Sequence, residues 1–144
     1  MDVAHFEPGH SEIVLLNESP VLIWRRNFEQ KVLAFEQIGA NFDENPELLE
    51  EIRNAQEMEI EPGRVLRFEW VVLSPLNTGG LGCAVLADAG DFGGFLDPCQ
   101  NAHFDLWGRP RRGPTDADLY VIPWAMSDDG QTITVDVAGA PVID

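Results

Sequence analysis

Basic residues are scarce: nine Lys and Arg stand against 25 Asp and Glu in 144 residues, a formal net charge of −16. So acidic a chain repels phosphate backbones and anionic headgroups, which argues against nucleic acid and membrane surfaces as partners. Cysteine is scarcer still. With two Cys and three His, no four-cysteine metal site can form within one chain, although one mixed site remains open. No apolar run approaches the roughly 18–20 residues of a membrane span, and the stretch from Trp70 to Leu76 is already broken by Ser74 and Pro75. The opening Met1-Asp2-Val3-Ala4-His5 lacks the basic and apolar regions of a secretory signal. The chain as written is therefore expected to be soluble and cytoplasmic, or peripheral on the periplasmic side if an anchor has been trimmed from it. Catalytic signatures are missing too: no G-x-x-x-x-G-K-[ST], H-E-x-x-H, G-x-S-x-G or C-x-x-C occurs. A sequence cannot place two carboxylates across a substrate, so no hydrolase is expected.

What is present suits an ordinary folded unit. Apolar residues make up 44% of the chain and charged residues 24%, enough to bury a core, and the length predicts one domain over 1–144. Ile13-Val14-Leu15-Leu16 and Val21-Leu22-Ile23-Trp24, separated by Asn17-Glu18-Ser19-Pro20, predict a hairpin. A short helical pattern with mixed faces follows from Phe28 to Ile38. Asn45-Pro46-Glu47 predicts a helix start, with Asn as cap and Pro at the first helical position; Leu48, Leu49, Ile52, Ala55 and Gln56 then share one face. Eight carboxylates and one Arg lie between Asp43 and Glu61, which suits a solvated helix face and loop or, alternatively, an acidic docking surface. Arg64 to Leu73 returns to strand chemistry. Tyr120 to Trp124 and Thr132 to Val137, around Asp128-Asp129-Gly130, predict a closing hairpin.

Between these lies a region dense in Gly and Pro, from Pro75 to Pro114, that predicts tight turns and short strands. It carries both cysteines, Cys83 and Cys99, sixteen apart and each in a loop-like context. Two such loops can be stapled by a disulfide or can share a metal.

Three segments of this region carry a family resemblance. They are Leu81-Gly82-Cys83, then Gly90-Asp91-Phe92-Gly93-Gly94-Phe95-Leu96-Asp97-Pro98-Cys99-Gln100-Asn101-Ala102-His103-Phe104-Asp105, then Gly108-Arg109-Pro110-Arg111-Arg112-Gly113-Pro114. This half of the chain resembles the Rieske iron–sulfur proteins of quinol–cytochrome c reductase, whose loops read C-T-H-L-G-C and G-D-F-G-G-W-x-C-P-C-H-G-S-H-Y-D, followed by G-R-x-R-x-G-P. Glu7-Pro8-Gly9 and Glu69-Trp70-Val71-Val72-Leu73 extend the likeness, which spans about residues 6 to 137 and lacks the family's N-terminal membrane helix. The resemblance implies an all-β fold of three small antiparallel sheets, a cluster-binding-type part over about 74–115, and one inserted helix and acidic loop at Asn45 to Gln56.

The departures matter more than the matches. A Rieske cluster takes one Cys and one His from each loop. Counting back from Cys83, Thr78 stands at the Cys position, with Asn77 as the other candidate, and Gly80 at the His position; Asp97 and Gln100 occupy the corresponding places in the second loop. All four ligand positions are vacated, so the resemblance predicts no 2Fe–2S cluster and no intrinsic electron transfer. Ala102 and Phe104 stand where the family has a Ser and a Tyr that donate to the cluster's sulfurs. The surviving Cys83 and Cys99 match the pair that forms the family's inter-loop disulfide, a closure worth about 3 kcal/mol if formed; free buried thiols and a redox dithiol are the alternatives.

His103 matches a non-ligand position and is expected to be a satisfied loop histidine. A substitute metal site from Asp97, His103 and a Cys thiolate is the alternative. His5 and His10 are expected at the surface. Arg109, Arg111 and Arg112, the only basic cluster, are expected to pair with acids such as Asp105, Asp116 and Asp118, or to contact an acidic partner. Leu81 matches the apolar tip residue that docks the family's domain onto its membrane subunit. Three functions follow: a cluster-free binding, accessory or assembly module, with a respiratory membrane complex among its candidate partners; a redox protein using the Cys83–Cys99 pair or a single metal at the altered loops; and a decoy subunit that docks on the cytochrome-bearing partner.

Overall fold

In a computed structural model, which describes residues 1–77 and 83–142, the chain is built mostly of short antiparallel strands. The class is the expected all-β one. In detail, the described residues form four small antiparallel sheets and two helices, one within the Phe28–Ile38 pattern and one in the inserted segment.

The first hairpin joins β1 (Ser11–Leu16) to β2 (Ser19–Arg25). Its turn is two residues long, with Asn17 and Glu18 both at positive φ (50° and 68°), so Ser19 and Pro20 belong to the strand. Pro20 is tolerated because β5 (Trp70–Leu73) pairs only with Leu22 to Arg25 of β2, and the missing N–H lies beyond that register.

Strand β2 is buried on both faces, and its alternation divides the interior. Val21 and Ile23 pack with Trp70, Val72, Ile122 and Ile133, whereas Leu22 and Trp24 pack with Phe95, Phe104 and Leu106. The second of these cores underlies the Gly- and Pro-rich region.

Helix α1 (Phe28–Gln37) forms despite its mixed faces because its start is fully capped. Asn27 accepts from the Gln30 N–H, and the Gln30 side chain accepts from the Asn27 N–H. Lys31 of α1 is buried, with its Nζ 2.6 Å from Glu69 Oε1 and donating to the carbonyls of Ile52 and Ala55. Those contacts fasten α1 to α2 (Glu47–Asn54).

The entry to α2 differs from the expected cap. Pro46 is the cap residue, and its hydrocarbon ring has no acceptor for a side-chain cap bond, while Asn45 closes a turn through its N–H to the Asn41 carbonyl. The Asn41 side chain accepts from Asp43 and Glu44 instead. The acidic stretch does not continue as loop: Glu57–Glu61 is strand β3, paired with β4 (Arg64–Arg67). Alternation was present in Glu57-Met58-Glu59-Ile60-Glu61, but three glutamates hid it, since Glu is poor in strands. Arg64–Glu61 and Arg67–Glu57 ion pairs flank the hairpin.

The strand chemistry from Arg64 to Leu73 is thus split between β4 and β5. Strands β6 (Leu86–Ala87), β7 (Phe95–Asp97), β8 (Ala102–Phe104) and β9 (Pro110–Arg112) make a four-stranded meander, and β10 (Trp124–Met126) with β11 (Ile133–Val135) forms the closing hairpin. Among the described residues, no helix is long and apolar enough to cross a membrane.

Candidate functional site

The meander presents the second cysteine loop between β7 and β8, and the chain after β5 brings the first beside it. The base of the first loop is closed by the Asn77 N–H to the Cys83 carbonyl and by a bridge between Leu76 and Ala84. Thr78, Gly80 and Leu81 lie outside the described residues. Cys83 and Cys99 are joined as a disulfide across the two loops, with Cα atoms 6.3 Å apart, so both sulfurs are oxidised and neither is a free thiol. Replacing both with Ser is expected to lower stability by about 3 kcal/mol through the lost loop constraint. Urea denaturation without reductant measures it, and an unshifted midpoint would refute a stabilising role.

Asp97 ends β7 and is completely buried. Its Oδ1 accepts from the Cys99 N–H (2.9 Å), and its Oδ2 accepts from Asn77 Nδ2 (2.8 Å) at the base of the first loop. Thr115, just after the Gly-Pro segment, donates to Asn77 Oδ1 at 3.4 Å. Hydrogen bonds centred on one carboxylate therefore join the cysteine loops and the Gly-Pro segment. Gly113 packs so closely on this loop that a Cβ there would lie 2.9 Å from the Asn101 carbonyl oxygen and 2.8 Å from Ala102 Cα. Among the described residues, Gln100 Oε1 is buried without a hydrogen-bond partner.

His103 does not join Asp97. It is 5% exposed in β8, where its Nδ1 accepts from the Asp91 N–H (3.0 Å) and its Nε2 faces Asn101 Oδ1 (3.0 Å). Arg112 Nη2 also lies 3.3 Å from that Nε2. The histidine is satisfied, as expected. The group that does converge is Cys83, Asp97 and Cys99, and its two sulfurs are bonded to each other. Among the described residues, Asp97 and His103 thus make separate sets of hydrogen bonds, and the two sulfurs are bonded to each other.

The arginine cluster pairs with different acids from those expected in part. Arg109 lies 2.6 Å and Arg111 3.6 Å from Asp105 Oδ2, while Arg112 pairs with Asp91; no pair forms with Asp116 or Asp118 among the described residues. Asp105 is fully buried, and its Oδ1 also accepts the N–H groups of Trp107 and Arg109. Arg109 Nη2 reaches the Gln37 carbonyl and Trp107 Nε1 reaches that of Ala34, so the Gly-Pro segment is fixed onto α1.

Two features were not legible beforehand. Arg26 is buried between the rings of Trp24 and Trp107, donating to the carbonyls of Phe68 and Leu106. Burial pushes its guanidinium down to about 9, with Asp105 acting in the opposite direction. The other is a cluster of His5, His10 and Glu12 on the far side of β2, where both imidazoles turn towards one carboxylate. Nothing in the spacing of those three residues distinguishes them from separate surface groups.

No family model matches the chain. It is 33% identical over 133 residues to the cytochrome b-c1 complex subunit Rieske-3, mitochondrial, of Nicotiana tabacum, covering 92% of the chain and 44% of that protein. Similarity to the Arabidopsis thaliana Rieske-1 subunit is 32% over the same span. A 70-residue match to the Theropithecus gelada subunit reaches 43%, covering 49% of the chain and 25% of that protein. The chain thus spans under half the length of these relatives.

Proposed function

The chain belongs to the Rieske protein family, and from that premise we propose that it is a cluster-free member acting as a binding, accessory or assembly module for a protein partner, in the manner of a subunit of a respiratory membrane complex. The observation that carries this reading is Asp97. It stands at a cluster-ligand position, yet it is an acid whose buried carboxylate is engaged by Asn77 and the Cys99 N–H. Gln100 at the partner position is an amide, and neither Thr78 nor Gly80 in the first loop offers sulfur or imidazole. A two-iron cluster needs thiolates and imidazoles in these places. The donor set does not fit it, and no electron-transfer step is assigned to this chain.

What the fold retains is the support of the tip: the Cys83–Cys99 bond, the Asp97 hydrogen bonds and the Asp105–Arg109 clamp. Loops whose described flanks are held in this way are suited to docking. Leu81 and the Gly-Pro segment with Arg109, Arg111 and Arg112 are the docking elements on this reading.

Anaerobic purification with iron supplied, followed by iron analysis and electron-paramagnetic and visible spectra, tests the cluster. Absence of iron and of a Rieske-type signal is expected; two irons per chain with that signal would overturn the reading. Leu81→Asp is expected to abolish co-purification with the partner. Unchanged recovery would reject docking through the tip.

A further inference from the structure

The N-terminal stretch gathers three metal-ligating side chains that the two-loop tip does not use. His5 Nε2 lies 3.0 Å from Glu12 Oε1 and 3.1 Å from Oε2, and His10 Nε2 lies 3.1 Å from the same Oε1. One ligand atom from each residue falls within 4.8 Å of the others. The bond length of zinc to nitrogen or carboxylate oxygen is about 2.0–2.1 Å, so ligand atoms at the corners of a tetrahedron sit about 3.3 Å apart. The observed imidazole-to-carboxylate separations are close to that edge. An ion would replace the hydrogen bonds now joining the rings to Glu12, with small side-chain movements.

The three residues are held by separate anchors. Glu12 lies in β1 and pairs with Ile23 of β2. His10 is fixed by its carbonyl, which accepts from Arg25 N–H, and by its own N–H to the Glu7 carbonyl. His5 belongs to the turn in which Phe6 N–H bonds the Val3 carbonyl, and Val3 is tied by its N–H to Gln131. Between them Phe6, 1% exposed, packs its ring 4.9 Å from both imidazoles. The rings are thereby oriented before any ion arrives, which reduces the cost of ordering ligands. Hydrogen bonding by His10 is the main cause that holds the Glu12 carboxyl below its ordinary range; burial opposes it, and the His5 hydrogen bond adds to the lowering. Two imidazoles and one carboxylate suit zinc and its neighbours rather than calcium or magnesium, which prefer oxygen alone.

We propose that His5, His10 and Glu12 form a binding site for one divalent transition-metal ion of the zinc class, with a fourth coordination position open to water or to a donor from a partner. The site is independent of the cluster question, because it lies in the N-terminal stretch and uses none of the loop residues.

Calorimetric titration of the whole chain with zinc chloride, in non-reducing buffer, tests it. One ion per chain is expected. Changes to outer-shell partners alone cost about 10–100-fold in affinity, so His5→Ala, His10→Ala and Glu12→Gln are each expected to weaken binding at least tenfold. Cobalt(II) should give the visible absorption of a low-coordinate nitrogen and oxygen site in the wild type and lose it in His10→Ala. All three residues sit at the surface, and matching circular dichroism spectra and thermal midpoints without metal would confirm that the variants fold. The proposal is overturned if zinc fails to bind saturably, or if affinity is unchanged in both His10→Ala and Glu12→Gln. Binding that survives in those variants but is lost in Cys99→Ser would place the ion at the second loop and also overturn it.

Discussion

Asp105→Ala is expected to lower the unfolding free energy by about 2–4 kcal/mol, because a buried acceptor is removed and N–H groups left without an acceptor cost about 1–3 kcal/mol each. The carboxylate is fully buried and accepts from the Trp107 and Arg109 N–H groups and from Arg109 Nε at 2.6 Å. Truncation leaves those N–H groups with no acceptor and withdraws the negative charge that favours the buried Arg26 cation. Arg111 also loses its neighbour, at 3.6 Å, but it is exposed enough for water to replace the loss. Asp105→Asn keeps an acceptor oxygen for the turn and is expected to fall between the two. Urea denaturation of the three proteins measures the series, and a loss below about 1 kcal/mol for Asp105→Ala would sink the account.

Gly94→Ala is expected to be as damaging, for a steric reason. A Cβ on Gly94 would press into the backbone of Asp105 and lie 2.6 Å from the Phe104 carbonyl oxygen. Neither backbone can retreat easily, because Phe95 pairs with Phe104 across β7 and β8 and Asp105 N–H bonds the Arg109 carbonyl. The cost is expected to reach about 3 kcal/mol or more, at or above the upper end for overpacking a rigid core. Gly93→Ala is the informative contrast. There the new Cβ meets the end of the Leu33 side chain, which can turn away, and the penalty comes mainly from the positive φ of 68°, about 1–2 kcal/mol. Equal thermal midpoints for the two variants would reject the distinction.

Both residues belong to the Gly-rich segment whose motif is legible in the sequence, but their roles differ from what a motif can state. Glycine density from Pro75 to Pro114 predicts tight turns, and Gly93 fits that expectation with its positive φ. Gly94 does not need an unusual φ; it is where a distant stretch of backbone passes, and only the packed structure locates that stretch. The same holds for the arginines. Their chemistry announces ion pairs, yet Asp105 and Asp91 take the guanidinium groups because the meander brings those acids close.

Local signals were strongest where a pattern involves neighbouring residues. The first hairpin and the short strands around the second cysteine loop were foreseen from turns and apolar runs. So was the turn of the closing hairpin, but its first strand is Trp124–Met126 rather than Tyr120–Trp124, because Val121 bridges to Leu73 instead. Helix α1 was visible only as a mixed-face pattern, since a buried lysine at position 31 breaks any reading of which side faces the core. Strand β3 was hidden because its glutamates point to solvent and its pairing with β4 depends on a register no single segment reveals.

From the sequence, the likeness to the Rieske family supplied the all-β class and an expected pairing of Cys83 with Cys99, and the residue types at Thr78, Gly80, Asp97 and Gln100 could be read directly. Tertiary structure decided what those residues do. It turned Asp97 inward to bind Asn77 and the Cys99 N–H, engaged His103 with Asp91 and Asn101, and brought His5 and His10 around the Glu12 carboxylate. The physical reason is that a hydrogen bond or a coordination site needs its atoms within about 3 Å of each other. Chain folding, not spacing along the sequence, sets that distance.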